Sequence, residues 1–322
     1  MQQRPLRQAQ DRPFKQVDVF SATPYYGNPL AVVLDGRGLD TAAMQRFAHW
    51  TNLSETTFLL PPEDASADYK VRIFTPGGEM PFAGHPTLGS CHSWLQAGGK
   101  PKRRDIIVQE CKVGLVNIRR EPGHEEANRL AHRLAFAAPP LKRSSPSPVV
   151  LAQVAAALGL KATQIAAAQL LDNGPVWLGL LLDNPETVLQ LTPNHLELAR
   201  LKVKVGVAAL YPKTEAPPLI ARANREAKAF GQAATADTPV AADMEVRAFA
   251  APMGINEDPV TGSLNASLAQ WLMAEGYTPD RYIASQGVCL GRAGLVYLER
   301  DSSGQVWVGG ESVTCLDGKV TL

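Results

Sequence analysis

The chain has 322 residues, which is long enough for two domains with separate hydrophobic cores. Apolar residues make up 45% of the sequence and charged residues 20%, as is ordinary for a soluble globular protein. The net charge of +1 gives no indication of nucleic acid or a membrane surface as a partner. No apolar run approaches the roughly 18 to 20 residues that span a bilayer, so a membrane-spanning protein is not expected.

The cysteines and the N-terminus both favour a cytoplasmic protein. The four cysteines are widely spaced and include no C-x-x-C pair, which favours reduced thiols over a disulfide framework or a zinc site. Residues 1–12 are polar, rich in Gln and Arg, and lack the apolar core of a signal peptide. We therefore predict a flexible N-terminal tail over residues 1–13.

Residues 14–135 are predicted to form a first domain that is rich in strands. One helix is expected after an N-cap at Asp40 or Thr41, and a second from Pro86 to the Gly98-Gly99 pair. Short β-rich runs predict strands at residues 17–20, 30–34, 57–60, 69–74, 106–108 and 114–118.

Residues 136–322 are predicted to form a second domain with the same order of elements. Its last C-terminal strand is expected to pair with the first domain and complete that domain's sheet. The proline-rich residues 135–148 are interpreted as a linker. Because strands outnumber helices, the fold class is predicted as α+β rather than a doubly wound parallel sheet. Helices are expected at residues 149–158, from Thr192 to Leu201, and from Pro259 to Gly276, with strands at 177–182, 205–211, 288–299 and 306–322.

Two segments of the sequence occur twice. Residues 69–74 match residues 244–249, and residues 84–90 match residues 257–263. In the second match, His85 aligns with Asp258. A duplication places two equivalent loops across a pseudo-twofold axis, so the cleft between the halves is the prime candidate for a functional site.

Glu55 is the first candidate for a catalytic residue. It lies between the first helix and the strand that follows, and aligning Pro61 with Pro212 places Gly206 opposite it. Because scaffold requirements affect both halves alike, a carboxylate that occurs in one half only is typical of a functional residue. The alternative is an exposed glutamate at a helix end.

His85 and Asp258 each precede a proline that begins a predicted helix, so both are expected near an N-cap. The free N–H groups and the positive dipole end of a helix favour an anion there. Two such helix ends at one cleft suit a small substrate that bears a carboxylate. The alternatives are a histidine that only caps or packs and an aspartate that only caps.

Neither a metal nor a cofactor is predicted. His85 and His92 are seven residues apart, but no third ligand occurs at zinc spacing. The sequence also lacks a dinucleotide fingerprint, a phosphate loop and a nucleophile elbow.

Five segments resemble the PhzF family of phenazine-biosynthesis-like isomerases: residues 27–29, 52–58, 82–89, 257–263 and 286–287. The resemblance extends over about residues 14–322. It implies the diaminopimelate epimerase-like fold, in which each half is a barrel-like, mostly antiparallel sheet around a central helix and the active site lies between the halves. It also implies a homodimer.

The resemblance further implies roles for individual residues. Glu55 corresponds to the proton-shuttling acid/base of the family, and His85 and Asp258 correspond to its catalytic polar partners. The related racemases use two cysteines as bases, whereas this chain has only Cys91 near the matching segments, six residues into a helix. The residues that correspond to substrate-binding positions are Ser54, Gly84, Gly262 and Ser263.

These observations lead to one hypothesis and two alternatives. The hypothesis is a cofactor-independent isomerase that moves a proton within a small amino- or hydroxy-carboxylic acid, with Glu55 as acid and base. Burial is expected to raise the pKa of Glu55 towards neutrality. The alternatives are a non-catalytic protein that binds a small metabolite or a partner, and a two-base epimerase, which the missing cysteine pair disfavours.

Overall fold

The computed structural model of the protein describes residues 10–121, 133–212 and 241–322. Within these residues, eighteen strands form one continuous, mostly antiparallel sheet. The same residues contain six α-helices. No helix among them is long and apolar enough to cross a bilayer.

The first half contains two helices and eight strands. The helices are α1 (Thr41–Thr51) and α2 (Gly84–Gln96). The strands are β1 (Asp11–Val19), β2 (Asn28–Val33), β3 (Thr56–Leu60), β4 (Tyr69–Thr75), β5 (Gly78–Met80), β6 (Ile106–Cys111), β7 (Gly114–Glu121) and β8 (Arg133–Ala137).

The second half contains the remaining described elements. The helices are α3 (Pro148–Leu158), α4 (Pro185–Gln190), α5 (His195–Leu201) and α6 (Gly262–Ala274). The strands are β9 (Lys142–Ser144), β10 (Ile165–Asp172), β11 (Val176–Leu182), β12 (Val205–Leu210), β13 (Met244–Ala250), β14 (Ile255–Asp258), β15 (Arg281–Gln286), β16 (Gly294–Arg300), β17 (Val306–Gly310) and β18 (Ser312–Thr321).

The strand pairing of the first half is repeated in the second. β2 and β3 run parallel, as do β11 and β12, and each pair is followed by an antiparallel neighbour, β4 or β13. β4 then pairs in parallel with β6, as β13 does with β15. β18, which follows β17 in sequence, pairs with β1 of the first half. β9, which follows β8 in sequence, pairs with β10 of the second half. The chain therefore crosses between the halves at both places.

Each half is built around one central helix. α2 packs against β1, β2, β3, β6, β8 and β18, and α6 packs against β10, β11, β16 and β17. Leu88 of α2 and Leu264 of α6 are fully buried and belong to one hydrophobic core cluster that extends through both halves. The central helices of the α+β fold are thus fixed by burial, because few of their positions face water.

The observed elements correct two predicted boundaries. β1 begins at Asp11, so residues 11–13 pair with β18 instead of belonging to the tail; residues 1–9 lie outside the described residues. The segment interpreted as a linker contains the end of β8, the strand β9 and the first residue of α3. In both cases, backbone pairing to another strand outweighs the proline-rich or polar composition.

The starts of the two central helices also differ from the prediction. α2 begins at Gly84, two residues before Pro86, and α6 begins at Gly262, three residues after Pro259. The N-caps are Ala83 and Thr261. His85 therefore lies within the first turn of α2 and Asp258 ends β14, so neither is an N-cap residue.

Candidate active site

The N-termini of the two central helices meet between the halves. A Cβ atom added to Gly84 would lie 3.0 Å from the Cα of Gly262, and one added to Gly262 would lie 3.0 Å from the Cα of Gly84. Glycine is required at both positions, because any side chain would force the helices apart. The first N–H groups of each helix have no acceptor inside the helix, so both helix ends present donors to the space beside this contact.

A cleft opens at this contact and contains about 640 Å³ of space, part of it continuous with solvent. One part of its wall is apolar and includes Met80, Phe82, Pro175, Trp177 and Ile255. All seven site residues predicted from the sequence lie along the cleft: Ser54, Glu55, Gly84, His85, Asp258, Gly262 and Ser263. The structure thus brings the predicted residues together, while their individual roles remain predictions.

Glu55 and His85 face each other in the cleft. Glu55 Oε2 lies 3.4 Å from His85 Nε2, and the two side chains are 13% and 5% exposed. The alternative of an exposed glutamate at a helix end is therefore wrong. Both atoms are buried and lack a hydrogen-bond partner among the described residues, which is unusual for buried polar atoms. Their hydrogen-bonding capacity is therefore left for each other or for a ligand that binds beside them.

Burial keeps His85 neutral. Loss of hydration lowers the pKa of His85 to about 3, although a hydrogen bond to the backbone of Pro29 raises it in part. Proline has no N–H group, so the imidazole donates to the Pro29 carbonyl oxygen. Because Nε2 faces Glu55 without a partner, the donor is Nδ1. Nε2 is then an acceptor that points towards the Glu55 carboxyl group.

Burial has the opposite effect on the charge of Glu55. Desolvation, and secondarily the negative charge of Asp258, raises the pKa of Glu55 to about 8. The carboxyl group is therefore mostly protonated at pH 7 and ionises close to neutrality. This is the range in which a carboxyl group can both remove and return a proton. The contact with His85 is between two neutral groups and is not an ion pair.

Asp258 lies in a hydrogen-bonded setting that is more polar. Its Oδ2 accepts from Thr261 Oγ1 at 2.6 Å and its Oδ1 accepts from Asn28 Nδ2 at 3.0 Å. Desolvation raises the pKa of Asp258 to about 6, while the bonds from Thr261 and Asn28 lower it. At pH 7, Asp258 is thus the ionised carboxylate and Glu55 the protonated one.

Gln286 and Asn28 hold the Asp258 loop. Gln286 Nε2 donates to the carbonyl oxygen of Asp258 and to Thr261 Oγ1, each at 3.0 Å, and its Oε1 accepts from the Thr261 amide at 3.0 Å. Asn28 Nδ2 reaches across from the first half to the carbonyl oxygen of Val260 at 2.8 Å. These contacts give a structural reason for the two short segments of the family resemblance around Asn28 and Gln286.

The strand register corrects the sequence alignment of the two halves at Glu55. Thr56 pairs with Phe74, and Val205 pairs with Phe249, which is the repeat of Phe74. The residue before Thr56 is Glu55, and the residue before Val205 is Lys204. Gly206, which the sequence alignment placed opposite Glu55, is instead buried in β12, where a Cβ would lie 2.2 Å from Leu264 Cδ1.

The strand register also shows that His85 and Asp258 are not counterparts in the two halves. Ile73 pairs with Met80, and Ala248, the repeat of Ile73, pairs with Asp258. Asp258 is therefore the counterpart of Met80. Since Gly84 and Gly262 each begin a central helix, the counterpart of His85 is Ser263. The expected match of His85 with Asp258 was wrong because β13–β14 and the turn before α6 are longer than the corresponding part of the first half.

One charged residue of the cleft, Lys204, was not predicted from the sequence. It lies along the cleft, with its Nζ 4.9 Å from the centroid of the Trp177 ring. The repeat of Phe74 and Phe249 leads to this residue once the strand pairs are known. Phe74 pairs with Thr56 and Phe249 pairs with Val205, and the residues before these two partners are Glu55 and Lys204. The alignment on Pro61 and Pro212 concealed this match by two residues, because β12 is one residue longer than β3 and Tyr211 separates β12 from Pro212.

Comparison with known proteins agrees with this architecture. The family model for phenazine biosynthesis-like proteins (PhzC-PhzF) matches residues 17–318. The Schizosaccharomyces pombe protein named antisense-enhancing sequence 1 is 33% identical over 318 residues, which cover 95% of this chain and 97% of that protein. Trans-2,3-dihydro-3-hydroxyanthranilate isomerase of Pseudomonas aeruginosa is 29% identical over 312 residues, with coverage of 95% and 98%.

Solved structures show the same fold. The PhzF-family protein of Bacillus anthracis aligns with a TM-score of 0.76 at 20% identity, covering 97% of this chain and 100% of that one. A probable proline racemase of Agrobacterium radiobacter aligns with a TM-score of 0.58 at 12% identity, covering 97% and 93%. The α+β, epimerase-like fold predicted from the sequence is confirmed. The chain belongs to the PhzF family of phenazine biosynthesis-like proteins and is an isomerase.

Proposed function

We propose that the protein is a cofactor-independent isomerase that moves a proton within a small amino- or hydroxy-carboxylic acid, with Glu55 as the proton carrier. The observation that supports this most strongly is the pair of buried, unpartnered atoms Glu55 Oε2 and His85 Nε2, 3.4 Å apart beside two helix N-termini. A buried carboxyl group that titrates near neutrality is costly for a scaffold but useful to a catalyst.

In the proposed reaction, the substrate carboxylate binds at the helix contact. Backbone N–H groups of Gly84, Gly262 and Ser263 would donate to it, with the dipoles of α2 and α6 favouring its charge. Trp177 Nε1 donates to Ser263 Oγ at 3.2 Å, so the Ser263 hydroxyl proton is left to point towards a ligand. Ser54 lies beside Glu55 on the cleft wall and would contact the same substrate.

Glu55 then removes a proton from the substrate carbon. Its ionised form is the base, and the resulting carboxylic acid returns the proton to another carbon of the same face. The negative charge that develops on the substrate is met by the helix N-termini rather than by a side-chain cation. Glu55 is suited to both steps because its pKa of about 8 lies close to the working pH.

His85 and Asp258 have different parts in this scheme. Neutral His85 accepts a hydrogen bond through Nε2 and so positions the Glu55 carboxyl group or a substrate hydroxyl. Ionised Asp258 raises the pKa of Glu55 and binds a donor group of the substrate, such as an amino or hydroxyl group. The different environments of the two carboxyl groups separate their pKa values, so that at pH 7 the proton is on Glu55 and the charge is on Asp258.

A non-catalytic metabolite-binding protein on the same fold is the alternative function. Such a protein would have no need for a titratable acid at position 55, and Glu55→Gln would leave ligand binding and biological activity intact. A two-base epimerase is a further alternative, and Lys204, the structural counterpart of Glu55, gives it a specific candidate for the second base. The homodimer and the cytoplasmic location likewise stay predictions.

The function can be tested without knowledge of the pathway. A thermal-shift screen of small amino and hydroxy acids, with trans-2,3-dihydro-3-hydroxyanthranilate included, would identify ligands. Each ligand is then incubated with the protein in heavy water and followed by proton NMR. We expect at least one ligand to exchange a carbon-bound proton or to isomerise with the wild type and not with Glu55→Gln. Tight ligands that never exchange or react would support the binding protein instead.

A further inference from the structure

Lys204 stands out among the cleft residues because of its position. It precedes β12 as Glu55 precedes β3, so the two residues approach the cleft from equivalent positions in opposite halves. The helix contact of Gly84 with Gly262 lies on the approximate twofold axis between them. A ligand whose carboxylate binds at this contact would have Glu55 on one side and Lys204 on the other.

The surroundings of Lys204 resemble a prepared anion site. Its ammonium group lies over the Trp177 ring at 4.9 Å, and Trp177 is itself held by Ser263. No carboxylate oxygen lies within 4.0 Å of Lys204 Nζ among residues 10–121, 133–212 and 241–322. Partial burial lowers the pKa of Lys204 to about 8, with Asp172 opposing the shift. A partly desolvated cation without a paired carboxylate is stabilised when an anion binds beside it.

We propose that Lys204 binds a second carboxylate of the substrate, so that this chain acts on small amino or hydroxy acids with two carboxylate groups. The inference rests on the proposed function for the placement of the first carboxylate. The reacting carbon then lies towards Glu55 and His85, and the remainder of the substrate extends along the apolar wall towards Trp177 and Lys204.

The structure favours an anion-binding role over a second proton carrier. Burial and Asp258 act on the pKa of Glu55, whereas burial and Asp172 act on that of Lys204. The two groups also face different parts of the cleft wall, because Glu55 Oε2 lies 3.4 Å from His85 Nε2 whereas Lys204 Nζ lies 4.9 Å from the centroid of the Trp177 ring. A pair of bases must contact opposite faces of one carbon, whereas a separated cation can reach the far end of an extended substrate.

The test compares acids with their uncharged amide isosteres. The probes are aspartate with asparagine, glutamate with glutamine, and 2-hydroxyglutarate with 2-hydroxyglutaramate, titrated calorimetrically at pH 7. We expect the wild type to prefer the dicarboxylate of at least one pair by about tenfold or more, as expected for one charge-assisted contact. The preference should decrease as the pH rises through about 8, where Lys204 loses its proton.

Variants of Lys204 assign the preference to this side chain. Lys204→Gln should reduce the preference to less than about threefold, whereas Lys204→Arg, which keeps the charge, should retain it. Lys202→Gln is the matched control, because it removes the same charge from an exposed residue two positions away at the end of α5. Circular dichroism and thermal melts would confirm that each variant is folded.

The outcomes separate this inference from the proposed function. Equal binding of acid and amide by the wild type in all three pairs would overturn it, as would a preference that survives in Lys204→Gln. A preference that depends on Lys204 in a protein that never exchanges substrate protons would support the anion site and contradict the isomerase. Loss of proton exchange in Lys204→Gln at saturating ligand, with the preference intact, would instead identify Lys204 as a second proton carrier.

Discussion

An arginine on one strand of each half binds the glutamate of the next strand: Arg72 with Glu79 at 2.7 and 2.8 Å, and Arg247 with Glu257 at 2.9 and 2.8 Å. These pairs are repeated because both halves need the same strand geometry. The residue that follows each glutamate is not repeated, since Met80 in one half corresponds to Asp258 in the other.

The cleft continues this contrast. Glu55 corresponds to Lys204, and His85 corresponds to Ser263, although the backbone around each pair is equivalent. The duplicated positions thus maintain the scaffold, while the positions that differ face the cleft. In this duplicated fold, the candidate functional residues are therefore found at positions where the backbones of the two halves are equivalent but the side chains differ.

Glu55→Gln should have the largest effect on activity. Because the amide cannot carry the proton, we expect kcat to fall by about 10³-fold or more, with ligand affinity changed far less. Lys204→Gln, which introduces the same uncharged residue at the equivalent position of the other half, should raise KM and leave kcat within about tenfold of the wild-type value. Steady-state kinetics on both variants tests the division of roles; equal losses of kcat would mean that the two halves contribute alike to the chemistry.

Glu55 should also make the stability of the protein depend on pH. Its folded-state pKa of about 8 is above the ordinary 4.5, so its neutral form stabilises the fold fully below pH 4.5 and this contribution is lost as the pH rises through 8. Glu55→Gln should therefore be more stable than the wild type at pH 9, on the order of 2 to 4 kcal/mol, and similar at pH 5.

Urea denaturation at the two pH values would measure this difference. Glu63→Gln, at a side chain that is 78% exposed, is the control and should show no such trend. A Glu55→Gln variant that is less stable than the wild type at pH 9 would contradict the buried, neutral carboxyl group.

The glycines at the helix contact test the part of the site that both halves share. Gly84→Ala places a methyl group 2.8 Å from the Phe136 ring and 3.0 Å from Gly262, so we expect a loss of about 1 to 3 kcal/mol of stability and weaker carboxylate binding. Gly262→Ala should behave alike. Gly78→Ala, where no atom lies within 4 Å, should change neither. A folded Gly84→Ala protein with full carboxylate affinity would show that the acid binds elsewhere.

Asp258→Asn should shift the pH profile as well as lower the rate. Ionised Asp258 raises the pKa of Glu55, so its removal should move the rising limb of kcat/KM, expected near pH 8 in the wild type, to lower pH. Met80→Leu, at the counterpart position, should leave the limb in place. A limb that stays or moves to higher pH in Asp258→Asn would show that the two carboxylates are not coupled.

The smallest effects are expected from chelators and thiol reagents. The proposed proton carrier is a carboxyl group, Cys91 is buried inside α2, and the exposed Cys289 lies outside the cleft lining. Activity after EDTA or iodoacetamide treatment should stay within about twofold of the untreated protein. Loss in EDTA with recovery on addition of a metal would contradict a proton transfer that depends on Glu55 alone.

Much of the fold and of the site could be predicted because local and repeated signals coincide. The repeated segments at Phe74 and Phe249 mark equivalent strands, and the short motifs around Glu55, His85 and Asp258 mark the three segments that carry those residues. These motifs lead into the two central helices or the strand beside them, so their residues reach one cleft.

The rest depended on strand register, which the sequence does not state. Pro61 directly follows a strand of five residues, whereas Pro212 follows a strand of six residues and Tyr211, so the alignment on these prolines was shifted by two residues and paired Glu55 with Gly206 instead of Lys204. Similarly, the additional residues before α6 shifted the match of His85. Burial of Glu55 was expected from the hypothesis of acid/base catalysis and not from its neighbours in sequence, where an exposed glutamate at a helix end stayed an alternative.

The most direct test of the account is the stereochemistry of deuterium incorporation. The ligand that gives the largest thermal shift is turned over in heavy water at saturating concentration, and the labelled face of the carbon is determined by NMR. We predict incorporation on one face only, absent in Glu55→Gln and retained in Lys204→Gln. Incorporation on both faces, or labelling that persists in Glu55→Gln, would contradict a mechanism with Glu55 as the single proton carrier.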